Sequence, residues 1–133
     1  MGRGRGLSGR LFLVLGMAAG ITVGRRWLDV VEVRGGSMAP SLLPGDRLLV
    51  ESRTYHLRAP RLGEVVLAAD PRQPDRELIK RVAAVNDENA SAELRGDDPA
   101  ASTDSREFGA IPLEAIRWRA AYRYWPPQRV GRV

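Results

Sequence analysis

Two side chains stand out by type and setting. Ser37 follows Gly35-Gly36 at the end of an apolar run and precedes Met38-Ala39-Pro40, while Lys80 lies inside Glu77–Val85, ELIKRVAAV. Glycines permit a tight backbone path that exposes a hydroxyl together with bare N–H groups beside it. A hydroxyl is inert until a base removes its proton, and an amine is a competent base only when neutral. Strand alternation puts Lys80 on one face with Leu78 and Val82, with Ile79, Arg81 and Ala83 facing the other way. Apolar neighbours desolvate the amine and favour its neutral form. Each residue alone has a plainer reading: a turn serine, and a lysine whose stem packs while its ammonium reaches water.

Composition narrows the chemistry further. Twenty of the 21 basic residues are arginine, and Lys80 is the single lysine. Biased encoding explains such a count without function, yet only lysine of the two can shed its proton when desolvated. There is no cysteine, which excludes disulfides, thiolate nucleophiles and cysteine-ligated metals, and no cofactor is implied. The lone histidine, His56, sits in the linker-like Tyr55-His56-Leu57-Arg58. A triad built from it and Asp46 stays open, although no orienting spacing recommends it. The net charge of +5 comes without a helix-turn-helix, zinc-finger or aromatic-platform pattern, so no nucleic-acid partner is expected. In Gly96–Gly109, GDDPAASTDSREFG, Asp104 and Arg106 can pair, and Ser102 or Ser105 can hydrogen-bond near an active amine.

The elements that must position these groups read as strands. Asp29–Val33, Arg47–Glu51, Glu64–Ala68, Glu77–Val85 and Ser91–Arg95 alternate or run apolar, separated by turns such as Pro44-Gly45-Asp46 and Asn86–Asn89. Pro112–Ile116 suggests one helical turn before a last strand around Arg117–Tyr124, with Trp125 expected across a barrel mouth and order ending at Pro126-Pro127. A chain of 133 residues supports one such domain.

Four blocks in this order resemble the signal peptidase I family and the wider serine–lysine peptidases. They are Gly36-Ser37-Met38-Ala39-Pro40-Ser41-Leu42, Gly45-Asp46-Arg47-Leu48-Leu49-Val50, Ile79-Lys80-Arg81-Val82, and Gly96-Asp97-Asp98-Pro99 running to Ser102-Thr103-Asp104-Ser105-Arg106. The resemblance spans roughly residues 30–127. It implies a mainly β, compact, coiled and mostly antiparallel domain with an N-terminal hydrophobic helix. It also implies Ser37 as nucleophile, Lys80 as general base and later acid, Ser102 as partner of the amine, and Asp104 with Arg106 as a buried pair. Met38 and Gly35 flank the nucleophile. Gly35 stands where some family members carry a serine that completes the oxyanion hole, leaving main-chain N–H groups to do so. Asp98 stands where asparagine is frequent. The implied partner is an extended peptide near the N-terminus of a precursor protein.

Only fifteen residues separate Lys80 from Gly96. That compactness, with the arginine-rich wording, resembles the small nickel-type superoxide dismutase maturation proteases. The expected client is then a nickel superoxide dismutase precursor, the nickel belonging to the client. General signal-peptide removal, a self-cleaving repressor-like protein and a non-catalytic peptide-binding β module are the rival readings.

Leu11–Gly24, LFLVLGMAAGITVG, carries no charge and is closed by Arg25-Arg26. Its fourteen residues make roughly 21 Å of helix against a hydrocarbon core of about 30 Å, so a single pass needs the flanking arginines to snorkel. A signal peptide and a buried helix compete with that anchor reading. The expected organisation is a basic N-terminus and hydrophobic segment over 1–28, a peptidase domain over 29–127 and a tail over 128–133, anchored in the membrane through 11–24 and otherwise cytoplasmic.

Overall fold

The computed structural model describes residues 27–133, so the expected helix over 11–24 lies outside the described residues. Eight strands make one antiparallel sheet: β1 Leu28–Glu32, β2 Arg47–Glu51, β3 Val65–Asp70, β4 Gln73–Asn86, β5 Ser91–Arg95, β6 Ile111–Pro112, β7 Ile116–Trp125 and β8 Gly131–Arg132. Their order is β1-β2-β7-β3-β4-β5-β6, with β8 added to β7. Two one-turn helices, α1 Thr54–Leu57 and α2 Ser105–Phe108, lie in segments that read as linker and polar loop. Among the described residues no helix is long and apolar enough to cross a membrane.

The apolar run of β3 explains the architecture. Successive side chains of a strand point to opposite faces, and here both faces are buried. Val65 and Leu67 pack into one core with Val33, Met38, Leu42 and Leu48, whereas Val66 and Ala68 pack into a second with Val82, Leu94 and Ile116. Each fully buried Val, Leu or Met contributes roughly 1.5–3 kcal/mol. The coiled sheet thus carries two cores, and the register Lys80↔Val66 and Ile79↔Leu67 sends Lys80 toward the second and Ile79 toward the first.

Among the described residues β1 pairs only with β2, and β4 acquires β5 as a second neighbour only from Arg81 onward, leaving Gln73–Lys80 paired on one side. Beyond β7 the sequence-based expectation fails. Pro127–Arg129 forms a 3-10 turn closed by Arg129 N–H donating to the Pro126 carbonyl at 3.0 Å, and β8 then pairs with β7 at Tyr122↔Arg132. Proline at the start of such a turn forfeits no bond, so Pro126-Pro127 redirects the chain without ending its order. Trp125 covers no barrel mouth: it is 46 % exposed, with the Arg47 guanidinium 5.7 Å from its ring centroid.

Candidate active site

The Ser37 loop is shaped by its own backbone and one apolar anchor. Ala39 N–H donates to the Gly36 carbonyl at 3.1 Å and Leu42 N–H to the Met38 carbonyl at 2.9 Å. Met38 and Leu42 are buried in the first core, which pins the turn on both sides of Pro40 and leaves Ser37 half-buried. Gly35 has φ of +74°, a left-handed conformation that side-chain-bearing residues rarely adopt. That is a backbone reason for glycine at a position where some family members carry serine. Among the described residues the Ser37 N–H has no internal acceptor, whereas its carbonyl accepts from Asp98 N–H at 2.9 Å.

Lys80 is 4 % exposed and its Nζ donates to Ser102 Oγ at 3.0 Å. Ser102 Oγ in turn donates to Asp104 Oδ2 at 2.6 Å. An ionised carboxylate can only accept, which fixes the direction of this chain. Asp104 also takes Gly96 N–H at 2.9 Å and Arg106 Nε and Nη2 at 2.9 and 2.6 Å, and it caps α2 through Arg106 N–H at 3.1 Å. The Arg106 guanidinium, helped by the Ser102 and backbone donors, holds the buried Asp104 carboxyl far below the usual carboxylate range. The Ser102 proton is therefore committed to Asp104, and Ser102 offers Lys80 only lone pairs.

Burial lowers the pKa of Lys80; the Asp104 charge opposes this, and the cationic Arg76, Arg106 and Arg72 add to it. Ser37 and Lys80 border one cleft of about 670 Å³, whose walls are Val31–Met38 on one side and Arg76–Lys80 on the other. The open stretch of β4 contributes Arg76–Lys80 to one wall, and the last residues of β1, Val31 and Glu32, begin the other. No hydrogen bond joins Ser37 Oγ to Lys80 Nζ across the cleft.

Of the remaining sequence candidates, Ser105 does not reach the amine. Its Oγ accepts Leu94 N–H at 2.8 Å and ties α2 to β5. His56 is exposed, its ring 5.0 Å edge-on to Trp27, and Asp46 is engaged elsewhere by Arg123 and Arg129, so no histidine triad is assembled. Asp97 pairs through both oxygens with Arg81, next to Lys80, at 2.9 and 2.8 Å. Among the described residues no group of three or more His, Cys, Asp or Glu could hold a metal ion.

Sequence reasoning passed over Gly96 as a site residue. A Cβ there would meet Ser102 Oγ at 2.3 Å and the Ser37 carbonyl oxygen at 2.6 Å. This buried glycine is where the strand leading to Ser102 passes against the Ser37 loop. Its φ is unremarkable, so the available signal was only its place in the fourth sequence block.

Similarity to known proteins covers most of the chain. The family profile described as signal peptidase, peptidase S26, matches residues 7–93, more than half of the chain. Among curated relatives, the mitochondrial ATP-independent inner membrane protease subunit 1a of Arabidopsis thaliana is 34 % identical over 125 residues, covering 78 % of this chain and 74 % of its own. The mitochondrial inner membrane protease subunit 2 of Danio rerio is 29 % identical, covering 85 % and 73 %. The Homo sapiens subunit 1 is 29 % identical, covering 77 % and 72 %.

Proposed function

The chain belongs to the signal peptidase family, peptidase S26, and on that premise we propose that it is a serine endopeptidase in which Ser37 is the nucleophile and Lys80 the general base. The observation that carries this reading is the Lys80–Ser102–Asp104 relay on the cleft that Ser37 borders. Because Ser102 accepts from Lys80, the lone pair of the neutral amine stays free for the Ser37 proton. Ser37 Oγ attacks the scissile carbonyl as Lys80 takes that proton, and the unpartnered Ser37 N–H stabilises the oxyanion. The Lys80 ammonium then protonates the leaving amine nitrogen as the C–N bond breaks. A water deprotonated by Lys80 hydrolyses the acyl-enzyme and restores the serine. The peptide lies extended between the open edges of β1 and β4, pairing with both.

The substrate is the N-terminal segment of a precursor protein at a membrane. Relatives named as inner membrane proteases support that setting, as do the uncharged Leu11–Gly24 segment, read as a single-pass anchor ahead of a domain over 29–127, and the exposed Leu28 and Val30 of β1. The short span from Lys80 to Gly96 favours a dedicated client, with a nickel superoxide dismutase precursor as the first to test. The missing Ser37–Lys80 hydrogen bond favours one second reading, a peptide-binding module without catalysis. Catalytic hydrogen bonds often tighten only with substrate bound, so the protease reading stands first.

The deciding experiment incubates the detergent-solubilised chain with a general secretory precursor and with a nickel superoxide dismutase precursor, mapping new N-termini by mass spectrometry. Cleavage of the dismutase precursor alone, lost in S37A and K80A, gives the dedicated role. Cleavage of the secretory precursor gives a general signal peptidase. Retained cleavage in either variant removes the Ser37/Lys80 assignment.

A further inference from the structure

We infer that Arg123 and Arg129, from the last strand and the turn beyond it, are positioning residues for Ser37. This rests on the reading of Ser37 as nucleophile. Both guanidinium groups converge on the far side of the nucleophile loop. Arg123 Nη1 donates to the Ser41 carbonyl at 2.8 Å and to Asp46 Oδ2 at 3.1 Å. Arg129 donates through Nη1 to Asp46 Oδ1 at 2.9 Å and through Nη2 to the Ser41 carbonyl at 3.3 Å. The two are locked together by Arg123 Nε donating to the Arg129 carbonyl at 2.5 Å.

Asp46 is 2 % exposed and turns this charge inward. Its carboxylate also accepts Leu43 N–H at 2.9 Å, while its backbone carbonyl accepts Val33 N–H at 2.8 Å. The loop from Val33 to Asp46 is thus closed at its base by backbone and gripped at its middle by two arginines. Ser41 is the grip point: its carbonyl takes both arginines. Ser41 lies one turn past Ser37, joined to it through the Leu42–Met38 bond, so a shift of Ser41 is passed to the nucleophile. A clamp serving stability alone would need only the buried Asp46. Two further bonds to the carbonyl of one loop residue fix the loop's orientation, and a misplacement of about 1 Å at a reacting group can cost about a hundredfold in rate.

The test separates rate per site from number of sites. Full-length wild type, R129A, R129K, R123A and S37A are labelled with a serine-directed fluorophosphonate, counted by intact mass, and assayed on the same precursor well below their melting temperatures. R129A is expected to label fully but slowly and to turn over about ten- to a hundredfold slower per labelled site. Its KM should stay within about threefold, and the midpoint of its acid limb should not move, because the partners of Lys80 are untouched. R129K keeps a charge for Asp46 but cannot also reach Ser41, so it should fall between; it carries the test if R129A does not fold. Fewer labelled sites, each with wild-type turnover, would show a purely stabilising clamp and overturn the inference. Wild type that cleaves but does not label at Ser37 would overturn the nucleophile assignment, and the positioning role with it.

Discussion

Two buried aspartates, Asp104 and Asp46, each hold one half of the cleft, and they do so over very different distances along the chain. Asp104 finds its hydroxyl donor at Ser102 and its guanidinium at Arg106, two residues away on either side. Asp46 draws its arginines from 77 and 83 residues downstream. The lysine half is therefore built by a local turn that caps its own helix. The serine half is complete only when β7 and the segment after it have docked. The two halves meet at Gly96, whose N–H belongs to Asp104 and whose missing side chain lets Ser102 and the Ser37 carbonyl approach. The proposed chemistry requires both, yet the perturbations that break each half should carry different signatures.

The largest effects should come from the chemical groups themselves. S37A and K80A should each lower kcat/KM at least about a thousandfold. K80R should be as damaging as K80A, since a guanidinium stays protonated at working pH and cannot take the serine proton. A K80R protein that cleaves its precursor would remove the base role. In the wild type, activity should fall on the acid side as Lys80 becomes protonated, its burial having moved that limb below the ordinary lysine range. A rate unchanged down to about pH 5 would contradict a neutral lysine base.

G96A comes next and strikes both halves at once. Its methyl group would overlap Ser102 Oγ and the Ser37 carbonyl, and close-packed backbone cannot yield without moving the loop. Loss of about a hundredfold in kcat and about 1–3 kcal/mol in stability is expected from denaturant titration and single-turnover kinetics. A near-native G96A would mean that the two halves are not held in register at this crossing.

D104N sharpens the comparison by damaging the lysine half alone. The Asp104 charge raises the pKa of Lys80, so its removal should move the acid limb of the rate profile to lower pH. It also frees the Ser102 proton to donate to the lysine lone pair, competing with Ser37, and kcat should fall about tenfold. The carboxyl of Asp104 is depressed in the folded protein, so its stabilisation is present above the ordinary carboxylate range and lost as pH falls through the lower folded value. The melting-temperature gap between D104N and wild type should therefore close in acid. A shifted limb in D104N beside an unshifted one in R129A would separate the two halves by experiment. H56A should do least: an exposed ring against Trp27 belongs to neither half, and activity within about twofold of wild type is expected. A large loss there would reopen a histidine base.

The lysine half was legible because each of its two pieces is local, although only the family resemblance joined Ser102 to Lys80 across 22 residues. Alternation placed Lys80 among Leu78 and Val82, and the run from Ser102 to Arg106 carried hydroxyl, carboxylate and guanidinium at turn spacing. The serine half was legible only as far as Gly35–Ser37. Asp46 read as a turn residue after Pro44-Gly45 or as a partner for His56, and Arg129 as part of a tail behind two prolines. Nothing in either neighbourhood pointed to the other.

By itself, then, the sequence determined most of the strands and turns and the short-range Asp104–Arg106 pairing, since periodicity, turn residues and local pairing are properties of neighbouring residues; the link from Ser102 to Lys80 came only from the family resemblance. The tertiary structure alone decided which distant strand closes the Ser37 loop, which face of the coiled sheet each core occupies, and why Gly96 has no side chain. Those outcomes follow from strand order and close packing between distant segments, Asp46 lying 77 and 83 residues from its arginines, information that no local pattern contains.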